Sequence, residues 1–251
     1  MPHGEIPFRA KFALFMLFFL GFALNVLIFA DLQWWHYVFK APSAVSPETV
    51  EQLRQGIVHI QVPNCDSAQP SASGTGFVIK SNYVITTAQI IKDHQTCDSA
   101  ITVTNFKGAP STAEFVGYSE SDDLALLRVS ETGLPSLPLG ASSTYENVQG
   151  VVPIFTIGYP LTGIASQQDQ ASISGVGSIS QFDRAKNRFV TSGLNINPGN
   201  SGGPVFLQDQ QRVLGVASTK LDVTVGEEIG WAVPIDTVKK FFRESVGQNL
   251  E

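Results

Sequence analysis

Hydrophobic and polar positions divide the chain into three regimes. The first is residues 12–30, FALFMLFFLGFALNVLIFA, a nearly unbroken apolar run in which Asn25 is the one polar side chain. At about 1.5 Å of helical rise per residue the run spans about 28 Å, close to the roughly 30 Å hydrocarbon core of a bilayer. It therefore predicts a transmembrane helix. Arg9 and Lys11 precede it, which places residues 1–11 in the cytoplasm by the excess of cations on that side. Trp34, Trp35 and Tyr37 follow it, as aromatic side chains do at a membrane interface. A cleaved signal peptide is the alternative. The run is longer than the usual apolar core of such peptides, and no good small-residue cleavage motif follows it. An uncleaved single-pass anchor is expected, with everything after roughly residue 40 outside the cytoplasm (in the periplasm, were the cell Gram-negative).

The second regime begins after a linker, residues 31–46. Ser46-Pro47 has the form of a helix N-cap followed by proline at the first helical position, so a short helix is predicted from Pro47 through Arg54, stopping at Gly56. Compact apolar segments then recur: IVHIQV, TGFVIK, YVITTA, ITVTNF, AEFVGY and LALLRV. They are β-branched and aromatic, and Gly, Pro, Asn, Asp or Ser separates them, which predicts strands. A Pro/Gly/Ser-rich stretch near 133–150 divides this set from a second: VVPIFTIG, ASISGVGSIS, RFVTSG, GPVFLQ, RVLGVAST and IGWAVP. Two sets of about six strands predict an all-β domain of two antiparallel barrels. The third regime is 235–246, where Ile235, Val238, Phe241, Phe242 and Val246 fall at helical spacing and predict a closing helix.

Composition adds limits. The 251 residues carry a net charge of −6, with 43% hydrophobic and 15% charged residues. The acidic balance and the lack of a basic cluster argue against nucleic acid as a partner. Cys65 and Cys97 are the only cysteines and stand in no metal-ligand spacing; no metal or cofactor is expected. In an exported domain the pair can form one disulfide. Two free thiols are the alternative.

The chemistry centres on NPGNSGGP, residues 197–204. A serine is a weak nucleophile unless a base takes its proton and donors stabilise the oxyanion. Glycines around Ser201 let the backbone turn tightly and present N–H groups without side-chain obstruction. The segment is followed by a strand, and other motifs accompany it in order: GTGFVI (74–79), YVITTAQI (83–90), SDDLALLRV (121–129) and IGYP (157–160). Together they resemble the protease domain of the HtrA/Deg family, from about residue 47 to 246. The resemblance implies the trypsin-like double six-stranded barrel, with Ser201 as nucleophile, Asp123 as the orienting acid, and the backbone N–H groups of Gly199 and Ser201 as oxyanion donors. It implies a polypeptide substrate or partner and admits a homotrimer. The protease domain is expected to fill 47–251, leaving no room for the PDZ domain that many relatives carry.

Two positions depart from the family pattern. Gln89 stands where the resemblance places the base histidine. A carboxamide offers an acceptor and two donors, so it could accept from the Ser201 hydroxyl and donate to Asp123, but it cannot take and return a proton near neutrality. Asn195, six residues before Ser201, stands where the fold places the floor of the primary specificity pocket and where relatives carry a small apolar residue. No other histidine is a good substitute for the base. His3 and His36 flank the membrane run, His59 lies in IVHIQV, and His94 follows Gln89 by five residues. On a helix that spacing is a turn of about 140° and an advance of about 7.5 Å. Two readings remain: a membrane-anchored pseudoprotease that binds peptides or proteins, or an active serine endopeptidase of envelope protein quality control or processing.

Overall fold

The computed structural model describes residues 12, 15, 16, 19, 20, 45–64, 67–92, 100–130, 133–146, 152–160, 171–194, 196–220 and 229–250. Met1–Ala44 and Val45–Glu251 form two compact units. In the first, Phe12, Phe15, Met16, Phe19 and Leu20 are helical and exposed. Among the described residues no helix is long and apolar enough to cross a membrane; most of the predicted span, 12–30, lies outside them.

The second unit opens with α1 (Pro47–Arg54), whose N-cap Ser46 accepts from the Thr49 N–H at 3.1 Å. The strands β1 (Ile57–Asn64), β2 (Ser67–Lys80), β3 (Tyr83–Thr86), β4 (Ile101–Thr104), β5 (Pro110–Ser119) and β6 (Leu124–Val129) follow, with the one-turn helix α2 (Ala88–Ile91) after β3. They close into a barrel in the order β1-β2-β3-β6-β5-β4. A second barrel contains β7 (Val152–Gly158), β8 (Ser172–Asp183), β9 (Arg188–Ser192), β10 (Pro204–Leu207), β11 (Val213–Lys220) and β12 (Ile229–Pro234). Its order, β7-β8-β9-β12-β11-β10, repeats the first six strands later. The chain closes with α3 (Ile235–Val246), stopped by Gly247 in the left-handed conformation.

The short apolar runs explain the double barrel. Along a strand, successive side chains face opposite sides. In β6, Ala125, Leu127 and Val129 fill the first barrel, while Leu124 and Leu126 point outward into a second core. In β1, Val58, Ile60 and Val62 face inward and Ile57 outward. The second barrel repeats the pattern: Ile154, Val205, Leu207 and Leu214 fill its interior, and Phe155, Ile157, Phe206 and Val216 face out. The outward residues of both barrels join Ile235, Val238, Phe241 and Phe242 of α3 and Val50 and Leu53 of α1 in one cluster. Each such side chain contributes about 1.5–3 kcal/mol when buried, so the two barrels are held face to face.

The predicted strands and both predicted helices of this unit are present, with β2 and β5 longer than their apolar cores suggested. Those extensions are polar and small (SAQPSAS and PST), and ladder pairing with β1 and β4 carries them. Cys65, Cys97, His94 and Asn195 lie outside the described residues, as does most of the linker 31–46.

Candidate active site

The turn that carries Ser201 is built from its backbone. Gly199 and Gly202 have φ of +94° and +86°, a region that costs other residues strain and glycine none. Asn200 donates its N–H to Asn197 O at 2.9 Å, and Gly203 donates to Asn200 O at 3.0 Å. The turn is then tied to both barrels. Gly202 N–H donates to Ala217 O of β11 at 2.7 Å, and Thr75 N–H of β2 donates to Ser201 O at 3.0 Å. Gly202 is required for a second reason: a Cβ there would lie 2.1 Å from Thr75 O and 2.2 Å from Thr86 Oγ1. Among the described residues the N–H groups of Gly199 and Ser201 donate to no acceptor. Free amides two residues apart in such a turn are suited to binding an anion or a polarised carbonyl oxygen.

Asp123 ends the β5–β6 hairpin with φ +53°. Aspartate tolerates this region better than most residues, at some cost in strain. Its half-buried carboxylate accepts from two directions. The Gln89 backbone N–H donates to Oδ1 at 3.2 Å, and the Ser218 hydroxyl donates to Oδ2 at 2.5 Å. Ser218, fully buried on β11, also offers its carbonyl to the Ser201 hydroxyl at 2.8 Å. A continuous chain therefore runs from Ser201 through Ser218 to Asp123 and Gln89, joining β11 of one barrel to the β3–β6 edge of the other.

Gln89 differs from the sequence expectation in one respect. Its carboxamide neither accepts from Ser201 nor donates to Asp123. The side chain is exposed and makes no hydrogen bond among the described residues; only its backbone N–H engages Asp123. The cause is local. Neighbouring Ile90 and Ile91 are buried and pin α2 to the first barrel, which leaves Gln89 on the solvent side. There it lines a cleft of about 280 Å³ with Ala88, Lys92, Tyr118, Glu120 and Asp123. His59 is engaged elsewhere: Nε2 lies 2.7 Å from Ser73 Oγ, and the ring stacks on Tyr159 at 5.0 Å. Burial lowers its pKa, which favours the neutral ring. Adjacent Asp122 bonds the Ser119 hydroxyl at 2.9 Å and takes no part in the chain of bonds.

Ser201, Gly199, Asp123 and Gln89, singled out by sequence, are thus brought together. Asn195 lies outside the described residues. Ser218 and Thr75 were missed as site residues, because both sit in strands whose sequence signals only barrel packing.

A family model described as a trypsin-like peptidase domain matches residues 74–216. The mitochondrial serine protease HTRA2 of Drosophila pseudoobscura pseudoobscura is 34% identical over 185 residues, covering 71% of this chain and 41% of that protein. A serine protease HtrA-like of Staphylococcus epidermidis is 30% identical over 185 residues, covering 68% of this chain and 30% of that protein. The chain spans less than half the length of these relatives. The serine endoprotease from Yersinia pestis superposes with a TM-score of 0.64 at 23% identity, over 80% of this chain and 66% of that one. At that identity the likeness is one of fold.

Proposed function

The chain belongs to the trypsin-like peptidase family, and from that premise we propose that it is an HtrA-type serine protease homologue anchored in a membrane by residues 12–30, with a catalytic centre that lacks its general base. In this proposal Ser201 is the nucleophile position, Asp123 the orienting acid, Gly199 and Ser201 the oxyanion donors, and Gln89 the degenerate base position. Asn195 is assigned to the specificity pocket on the resemblance alone. The domain lies outside the cytoplasm and binds polypeptides, and a homotrimer is the assembly to test.

One observation carries this reading. Asp123 receives the Gln89 backbone N–H and the Ser218 hydroxyl, while the Ser201 hydroxyl donates to the Ser218 carbonyl. The acid is oriented toward position 89, yet what stands there is an amide that cannot take up and return a proton as a general base near neutrality. Its exposed carboxamide leaves the serine proton directed at a backbone oxygen, which is no base. In subtilisin, which carries the same kind of triad on an unrelated fold, loss of the histidine costs on the order of 10⁶ in kcat, about 8 kcal/mol of barrier at about 1.36 kcal/mol per tenfold. Exposed Phe12, Phe15, Met16, Phe19 and Leu20 support the anchor, since such side chains are at ease in lipid rather than water.

A second reading, an active endopeptidase of envelope quality control or processing, is favoured by the retained serine and acid and by the open amides of Gly199 and Ser201. The experiment is reaction of the intact protein with a serine-directed fluorophosphonate, read by mass spectrometry. Negligible labelling at neutral pH is expected. Rapid labelling confined to Ser201 would favour the active enzyme.

A further inference from the structure

We infer that Thr75 is a positioning residue that sets the oxyanion pair of this site through its hydroxyl. The inference rests on the proposed role of Gly199 and Ser201. Three consecutive peptide units matter. The first carries the Gly199 N–H, the third carries the Ser201 N–H, and the middle one, Gly199–Asn200, joins them. The middle unit is held at both ends. Its N–H donates to Asn197 O at 2.9 Å, and its carbonyl accepts from Thr75 Oγ1 at 2.6 Å.

The direction of that second bond is determined. A hydroxyl has one proton and two lone pairs. The Tyr159 N–H donates to Thr75 Oγ1 at 3.0 Å, which occupies a lone pair and leaves the proton for Gly199 O. Thr75 is fully buried, so no water competes for either partner. The same residue grips the loop again through its backbone N–H to Ser201 O, and it is itself fixed by Thr86 Oγ1, which donates to Thr75 O at 2.8 Å. Thr75 belongs to the first barrel and Tyr159 follows β7 of the second. One hydroxyl therefore couples the juxtaposition of the barrels to the orientation of the two amides. Without that hold the Cα atoms of Gly199 and Asn200, which set the spacing of the two flanking N–H groups, would be free to shift.

The test compares Thr75→Val, which keeps the shape and removes the hydroxyl, with Thr75→Ser, which keeps the hydroxyl. Hydrogen–deuterium exchange of the full-length protein is followed in peptides covering 196–203. Thr75→Val should speed exchange there at least about tenfold, the change that accompanies one lost buried hydrogen bond, while peptides from β5 and β6 exchange as in the parent. Thr75→Ser should match the parent. Unchanged exchange in folded Thr75→Val would overturn the inference. So would a Thr75→Ser protein with a loosened loop, and that result decides the matter even if Thr75→Val does not fold. The catalytic consequence is read in a Gln89→His background. There Thr75→Val should lower kcat at least about tenfold, a fraction of what losing an oxyanion donor costs, with KM unchanged and Thr75→Ser restoring the rate. A fall in KM-dependent binding alone would count against positioning. An inactive Gln89→His protein would overturn the proposed site and not the hold of Thr75 on the loop, which the exchange experiment reads by itself.

Discussion

Alanine at Gly202 probes the seam between the serine loop and the first barrel. The added methyl meets two difficulties. At φ +86° a residue with a Cβ is strained by about 1–2 kcal/mol. The Cβ would also lie 2.1 Å from Thr75 O and 2.2 Å from Thr86 Oγ1. Neither atom yields easily: one is backbone in β2 and the other is bonded to it. Overpacking of this kind costs about 1–3 kcal/mol, for a total of about 2–5 kcal/mol. Gly108→Ala supplies the control, since Gly108 has φ +77° with nothing within 4 Å of a Cβ, so only the strain of about 1–2 kcal/mol applies. For a domain of this size about 1 kcal/mol shifts Tm by about 2–4 °C. Thermal unfolding of the two variants should therefore differ, with Gly202→Ala lower than Gly108→Ala by at least about 2–4 °C for the smallest overpacking term. Equal Tm values would refute the close approach at Gly202.

Three further outcomes are expected. His59 has a pKa lowered by burial, so the unfolded chain takes up a proton that the folded one resists. Stability should be unaffected by this residue above its ordinary pKa of 6.5 and fall as pH drops below it. In His59→Gln that part of the slope in urea-unfolding free energy against pH should vanish; an identical slope would show that His59 is not the group responsible. Membranes washed at high pH should retain the full-length chain, and its appearance as a shortened soluble species would remove the anchor. Cys65 and Cys97 should form a disulfide that closes a loop worth roughly 3–4 kcal/mol in the chain-entropy estimate; alkylation of both thiols in the folded, unreduced protein would contradict it.

The barrels were legible because their strands are short, continuous apolar runs. Segments such as LALLRV bury both faces, and no alternation could have told which residue faced which core. The serine loop was legible because its glycines are forced by φ and contact. Gln89 was legible as a position and not as a side chain: the sequence suggested an amide bridging Ser201 and Asp123, whereas buried Ile90 and Ile91 turn it to solvent and the backbone makes the bond. Ser218 and Thr75 were not legible as site residues. Each is one small polar residue within a strand, and its importance comes from what a strand distant in sequence brings opposite it.

The central claim is that Ser201 lacks only its base, and Gln89→His tests it most directly. The backbone N–H that orients Asp123 is unchanged by the substitution, and position 89 lines the same cleft as Asp123; to act as base the imidazole must turn in from the solvent side, where the glutamine points, to stand between the carboxylate and the serine. The measurement is hydrolysis of unfolded casein by parent, Gln89→His, and Gln89→His combined with Ser201→Ala. The account predicts little or no activity in the parent, a gain of at least about 10²-fold with histidine, the low end of general-base catalysis, and loss of that gain without Ser201. A parent already active through Ser201, and not improved by histidine, would contradict it.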